Sequence, residues 1–320
     1  MSRLIRRPMP PPPHTMFNKF NNTNEYEYAP YVVSDQGVLT IDKTWWNSLS
    51  EFIQKKIQSK TSFELNDITI PHDVNPRDID NGLLGLVYRC YLEGFDYQNW
   101  YSSTIPNGPK DVILIPLNEN MKQELLGEQT DTSQLSILED QLNDVCSKGI
   151  EYFVRLSGTS GKNEKPVRPF KYTRDILQHL KSIELFRSRE YKRDKETVLV
   201  LIPWNDNIDH RCEFRIFIVN KKITAASPQH FWELNQFSAE ELESFELALN
   251  NIEFINYVPY DSFVADVYID TTTNKCHLIE LNPFGAHCGA GASFFNWIDD
   301  YNILHGIEPP EMRYLSVINF

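Results

Sequence analysis

Long apolar runs are missing from this 320-residue chain. None approaches the roughly 20 residues that a membrane-spanning helix requires, so a soluble protein is expected. Cysteine is sparse. The five residues Cys90, Cys146, Cys212, Cys276 and Cys288 are odd in number and irregular in spacing. That excludes a disulfide framework and points to reduced thiols in an intracellular, cytoplasmic setting. Positive charge is in deficit, 31 Lys and Arg against 44 Asp and Glu, for a net charge of -13. A general nucleic-acid binder shows the reverse balance, although a local basic cleft for a small polyphosphate remains compatible with it. The N-terminus has no apolar stretch: in MSRLIRRPMPPPPHT three arginines run into prolines, which reads as a solvated proline-rich tail, with a transit peptide as the alternative, and not as a secretory signal. No internal repeat is visible.

What is present suits a globular protein. The length suggests about two domains at roughly 150 residues each. Residues 1–28 lack periodicity and are rich in Pro and Asn, so a disordered tail is expected there. Residues 29–89 form an accessory segment whose clearest element starts at Trp45. In WWNSLSEFIQKKIQSK, Trp45, Leu49, Phe52, Ile53 and Ile57 recur at helical spacing and predict one amphipathic helix.

Residues 90–197 read as a first α+β lobe. DVILIPL (Asp111 to Leu117) predicts a buried strand, Leu135, Leu138, Leu142 and Val145 predict one helix face, and EYFVRLS predicts a second strand. Residues 198–320 read as a second lobe built mostly from antiparallel strands: EFRIFIV with KKITA, then FVADVYID and KCHLIELN. The fold class is therefore α+β. Between Lys165 and Lys195 the chain is unusually basic, which reads either as a solvated helix face or as a wall for a phosphate or an acidic partner.

The sharpest chemical feature lies in the last two strands. Alternation puts Phe263, Ala265, Val267 and Ile269 on an apolar face and Asp266 on the other. In the second strand Cys276, Leu278, Glu280 and Asn282 share a face by the same count. A three-residue loop, Thr272 to Asn274, would pair Thr271 with Lys275 and set Asp266 opposite Glu280, with Asn274 in a left-handed conformation. Two carboxylates and an amide oxygen then form a hard-oxygen site suited to magnesium; the alternative is a solvated sheet face. In EFRIFIV, Arg215 lies on the face opposite Phe214, Ile216 and Ile218, where its guanidinium could fork onto a phosphate.

The loop SGTSGK offers Gly158 and Gly161 for close backbone approach and Lys162 for charge. It is not a P-loop, because two residues rather than four separate the glycines and Asn163 follows the lysine. Cys276 and His277, neighbours on a strand, point to opposite faces and do not suit one zinc ion, and His287 beside Cys288 makes a poor nucleophile–base pair, since adjacent residues rarely present the two in line and no third orienting residue is evident.

FVRLSGTSGKNE, CEFRIFIVNKKITAAS, FVADVYID and HLIELNPFG, in this order, resemble the cell division cycle protein 123 family. FDYQNWY and DVILIPLNENM extend the resemblance over about Cys90 to Trp297. It implies an ATP-grasp-like fold, two α+β lobes with the nucleotide between them, here preceded by an N-terminal extension. It also implies ATP and magnesium as cofactors. Asp266, Glu280 and Asn282 would hold the metal; Arg215, Arg155 and Lys162 would meet phosphate. The backbone of Val198, Leu199, Val200 and Leu201 would read adenine. The implied role is assembly of translation initiation factor two through its gamma subunit, by a monomer with no membrane attachment.

Arg155 stands where the family has Lys, Glu280 where it has Asp, and AHCGAGAS follows Asn-Pro-Phe-Gly in place of a Thr-Asp pair. Glu280 keeps open an ATP-dependent ligase or phosphoryl-transfer enzyme. Phe284 argues the other way, because many ATP-grasp ligases carry Arg there to hold a carboxylate or acyl phosphate. A partner-binding module without nucleotide is the third possibility.

Overall fold

The computed structural model describes residues 5–9, 31–33, 39–48, 51–59, 64–66, 92–127, 133–158, 168–182, 197–230, 237–285, 291–297 and 299–315. Its strands, in chain order, are β1 (Ile5–Met9), β2 (Tyr31–Val33), β3 (Leu39–Asp42), β4 (Glu64–Asn66), β5 (Ile113–Leu117) and β6 (Tyr152–Leu156). They continue with β7 (Thr197–Pro203), β8 (Glu213–Val219), β9 (Lys222–Pro228), β10 (Phe263–Asp270), β11 (Lys275–Asn282) and β12 (Glu311–Leu315). The longer helices are α1 (Lys43–Ser48), α2 (Glu51–Gln58), α3 (Glu119–Leu125), α4 (Ser133–Cys146), α5 (Thr173–Ser182) and α6 (Ala239–Asn250). The α+β class expected from the sequence holds.

The chain divides into two compact units. One comprises residues 96–103 and 109–207; the other comprises residues 1–95, 104–108 and 208–320. In the first, an antiparallel sheet of order β5-β7-β6 carries α3, α4 and α5. The predicted stripe on α4 is its buried face: Leu138, Leu142 and Val145 are buried and Leu135 packs beside them. They meet Ile176, Leu177 and Leu180 of α5 and Val154, Leu156, Leu199 and Leu201 of the sheet. The α4 N-terminus is capped across the chain by Glu124, whose carboxylate accepts from the backbone N–H of Gln134 and Leu135. On and beside α5, Arg168, Lys171, Arg174 and Lys181 are exposed. The rest of the basic segment lies outside the described residues, apart from Ser182 and neighbours of these four.

The second unit is organised by a six-stranded sheet, β1-β12-β9-β8-β10-β11. The pairs β1–β12 and β12–β9 are parallel and the remaining neighbours antiparallel. One face carries Phe214, Ile216, Phe263, Ala265 and Val267, all fully buried. It is covered by α6, whose Phe245 packs on Phe214 with ring centroids 4.7 Å apart. Ser238 and Glu241 close a reciprocal capping box at the start of that helix. The other face carries Phe217, Val264 and Ala225, which pack with Phe295, Trp297, Ile303 and Leu304. Trp297 is thus a packing residue, whereas Trp232 lies outside the described residues. A small sheet, β2-β3-β4, accompanies this unit.

Two local expectations are corrected. The stretch around Trp45 forms two helices, α1 and α2; Trp46 and Ile57 are buried, and the side chains of Trp45, Phe52 and Ile53 lie outside the described residues. Asn47 and Ser48, which favour local turns over helix interiors, stand where α1 stops.

The β10–β11 hairpin pairs Asp270, not Thr271, with Lys275, so its turn is one residue longer than predicted. Asn274 adopts the left-handed conformation, φ 54°. The register then shifts between Asp266 and Val267, and Asp266 faces Glu280 as expected. The bulge has a consequence that strict alternation misses. Cys276 and Leu278 oppose Ile269 and Val267 on the apolar face, while Glu280 and Asn282 oppose Asp266 and Val264 on the other. The four residues do not share a face. Burial accordingly pushes the Cys276 thiol pKa far up, and Cys276 and His277 point apart.

At the edge of the second core, the His305 ring stacks on Tyr301 with centroids 3.9 Å apart and meets the edge of Phe284 at 5.1 Å. Removal from water disfavours the imidazolium and pushes the His305 pKa down to about 4, from 6.5. The unfolded chain therefore binds more protons between these values. Stability contributed by neutral His305 is complete above about pH 6.5 and is lost as pH falls toward about 4. Urea unfolding of His305→Phe across this range should show a weaker acid dependence than the parent chain; an identical dependence would rule out His305 as its source.

Candidate functional site

β8, β9, β10 and β11 bring four polar residues into one row. Ser227 faces Arg215, Arg215 faces Asp266, and Asp266 faces Glu280. The adjacent row is Ala225, Phe217, Val264 and Asn282. The polar row therefore runs beside an apolar strip whose Phe217 and Val264 are fully buried. Sequence alternation placed Asp266, Glu280, Asn282 and Arg215 on one face, and the structure brings them together there.

The centre of the row is a forked ion pair. Arg215 Nε donates to Asp266 Oδ1 at 2.8 Å and Nη2 donates to Oδ2 at 2.9 Å. The third guanidinium nitrogen, Nη1, donates to the Gly291 carbonyl at 2.8 Å. Asp266 Oδ2 also accepts from Gln229 Nε2 at 2.8 Å and from Asn282 Nδ2 at 3.4 Å. The side chains are 14% and 4% exposed for Arg215 and Asp266, so water screens the pair little. Burial alone would lower the Arg215 pKa. The charge and hydrogen bonds of Asp266, with the charge of Glu280, outweigh burial and hold it above its ordinary value. Beside the pair, the Ser227 hydroxyl is fully buried and finds no hydrogen-bond partner among the described residues.

As a donor set, Asp266, Glu280 and Asn282 fit a hard divalent cation in kind: two carboxylates and an amide oxygen from facing strands. Directly opposed residues on such strands have Cβ atoms about 4.5–5.5 Å apart, within reach of one ion. The arrangement adds a condition. Asp266 already holds the guanidinium, so a metal reaches this carboxylate by sharing it with Arg215 or replacing Arg215. Gln229 and Gly291 were not foreseen. Alternation carried on through β9 from Ala225 to Ser227 and Gln229 exposes the first; no local pattern marks the second, which lies in the stretch that departs from Thr-Asp.

The other unit holds the remaining expected residues. Arg155 lies on β6, 3% exposed, with Nε donating to the Leu156 carbonyl and its guanidinium 5.6 Å from the Tyr97 ring centroid. Val198, Leu199, Val200 and Leu201 form the middle of β7, the central strand, paired with β5 on one side and β6 on the other. Ser157 takes both backbone groups of Val198: its N–H donates to the carbonyl at 2.8 Å and its hydroxyl accepts from the amide at 3.3 Å. The ladders thus engage the backbone expected to read adenine, and a base read by backbone groups needs the strand's end instead. Lys162 and Gly161 lie outside the described residues, as do His287 and Cys288.

With this geometry in view, the comparisons are specific. The D123 family model matches residues 172–316, a span containing Arg215, Asp266, Glu280 and Asn282. Over this region, somewhat less than half of its length, the chain is similar to the D123 family. A curated relative, the translation initiation factor eIF2 assembly protein of Vanderwaltozyma polyspora, is 34% identical over 100 residues, 30% of this chain. That match spans about a quarter (26%) of the relative's length. Among solved structures, C-terminally truncated Cdc123 from Schizosaccharomyces pombe aligns with a TM-score of 0.56 at 19% identity, covering 71% of this chain and 97% of that one. Cdc123 from the same organism aligns with a TM-score of 0.55 at the same identity and coverage. The chain thus shares the fold of these Cdc123 structures.

Removing one partner of a buried ion pair leaves an uncompensated charge and costs about 3–5 kcal/mol. Arg215→Met should destabilise the chain by about that amount in urea unfolding. The exposed i,i+4 pair of Glu51 and Lys55 provides the contrast: Lys55→Met should leave the unfolding midpoint in place. Equal midpoints for Arg215→Met and the parent would show that the fork contributes no net stability.

Proposed function

We propose that this chain is an assembly factor for translation initiation factor two, acting in the cytoplasm through the gamma subunit, and that it binds ATP and magnesium. The observation that carries the reading is the D123 match over residues 172–316, because it encloses the whole Arg215–Asp266–Glu280 row. The name of the Vanderwaltozyma polyspora relative, an eIF2 assembly protein, supports the biological half. In this reading Asp266, Glu280 and Asn282 hold the metal, which neutralises phosphate charge, and Arg215 contacts the triphosphate. Nucleotide would promote partner docking only by binding more tightly to the docking-competent arrangement.

The ligase alternative loses ground at Phe284. Its ring packs edge-on against Trp297, centroids 5.0 Å apart, and against His305. A side chain seated among aromatic rings at this place offers no charge to an acyl phosphate. No helix among the described residues is long and apolar enough to cross a membrane.

The test is co-elution. Purified chain mixed with the separated subunits of initiation factor two, with ATP and magnesium, should shift the gamma subunit to a larger complex in gel filtration. Asp266→Asn should weaken this shift at least about tenfold in concentration, an ordinary size for coupling between sites. Independent elution of every subunit from the chain would overturn the assembly reading.

A further inference from the structure

The six-stranded sheet ends in a strand drawn from far away in the sequence. β1 lies on the outer side of β12 and pairs with it in parallel, from Ile5 opposite Glu311 to Met9 opposite Leu315. We propose that the outer edge of β12 is a strand-addition site for an extended basic segment of a protein partner, which β1 covers in the free chain and leaves when that segment binds. The partner rests on the assembly reading above; the edge and its cover rest on the pairing of the strands.

β12 is held by contacts that do not involve β1. Met312 is fully buried, and Glu311 and Leu315 are nearly so. Arg313 forks onto Asp300, with Nη2 donating to Oδ1 at 2.7 Å and Nη1 to Oδ2 at 2.8 Å. Nη1 also donates to the Phe294 carbonyl at 3.1 Å, and the guanidinium lies 4.3 Å from the Phe295 ring centroid. On its inner side β12 pairs with β9. Its outer side is a row of backbone donors and acceptors, which a sheet must pair, cover or guard.

β1 is the weaker member of the pair. It is five residues long, and parallel pairing is slightly less stable per residue than antiparallel pairing. The two strands lie at opposite ends of the sequence, so no hairpin turn fixes them in register. Pro8 has no N–H to donate, and Pro10 to Pro13 follow, which leaves no donors to lengthen the pairing on that side. Proline and charge are also what natural sheets place on an edge to stop further strands, and β1 carries both. Its sequence supplies the chemistry of the occupant. Arg3, Arg6, Arg7 and Lys19 all precede the first acidic residue, Glu25, whereas the whole chain carries a net charge of -13. A basic extended segment here meets an acidic protein: main-chain hydrogen bonds give the affinity and charge favours the choice.

The probe is a fluorescent peptide of residues 1–12, titrated into the full chain and into the full chain carrying Arg6→Pro and Arg7→Pro, which spoil β1 as a strand. The double variant should bind the peptide at least about tenfold more tightly than the parent, because a covered edge binds only in the fraction of molecules where it is bare. Bound peptide should slow hydrogen exchange at residues 311–315 of the variant, and excess peptide should stop the gamma subunit of initiation factor two from shifting to a larger complex with the parent. Equal affinity in parent and variant overturns the inference. So does equal affinity for a peptide of the same composition in scrambled order, which would show only attraction between a basic peptide and an acidic chain. Dimers of the variant in light scattering would give the bared edge to a second copy and overturn the choice of partner. A gamma-subunit shift that persists with peptide bound at 311–315 overturns that choice too. No shift under any condition overturns the assembly reading, and the partner with it, while peptide bound at 311–315 would still uphold the edge and its cover. Should the double variant not fold, the parent decides: saturating peptide should speed hydrogen exchange at residues 5–9 of the nitrogen-15-labelled chain, and unchanged exchange there overturns the inference.

Discussion

A guanidinium locked onto a carboxylate inside a β-sheet sets the terms for the rest of this molecule. Arg215 and Asp266 are buried, charged and directly opposed, and such a pair persists only if its hydrogen bonds are filled and its neighbours fixed. The strands on either side meet that demand. β9 brings Gln229 to one carboxylate oxygen, β11 brings Asn282 to the same oxygen and Glu280 opposite, and the Gly291 carbonyl takes the remaining guanidinium nitrogen. Around this polar strip the two apolar layers close, with α6 on one face and Phe295, Trp297 and Leu304 on the other.

The bulge in the β10–β11 hairpin reconciles two requirements that plain alternation sets against each other. Cys276 and Leu278 must enter the apolar layer, and so must Leu281 further along, yet an even and an odd position cannot share a face in a regular strand. One extra residue near Ile279 shifts the parity, so Leu281 joins the layer and Glu280 turns toward Asp266. The polar pair is therefore positioned by apolar packing on the far side of the sheet. A substitution in that packing would be felt at the carboxylates without touching them.

Much of this was legible in the sequence, and the exceptions are physical. β10 alternates cleanly, EFRIFIV fixes the face of Arg215, and Leu138, Leu142 and Val145 mark their helix by spacing alone. The Asp266–Glu280 pairing was also foreseen, although through a shorter turn and a regular strand; a longer turn and a bulge offset each other. What pattern cannot show is partner choice. Arg215 was expected to wait for a phosphate, but a buried cation takes the nearest anion, and that anion is the expected metal ligand. Likewise a buried apolar strand such as Val198–Leu201 reads the same at a sheet edge and at its centre. Only the pairing on both sides shows that its backbone is engaged.

The account stands or falls on whether the Asp266 row meets a nucleotide. Phosphorus NMR of ATP mixed with the full chain, with and without magnesium, addresses this directly. Magnesium-dependent broadening or shift of the phosphate signals, beyond that of magnesium–ATP alone and abolished by Asp266→Asn, is the predicted result. Spectra of magnesium–ATP that the protein leaves unchanged would contradict it, and the forked pair would then stand as part of a protein-binding fold without nucleotide.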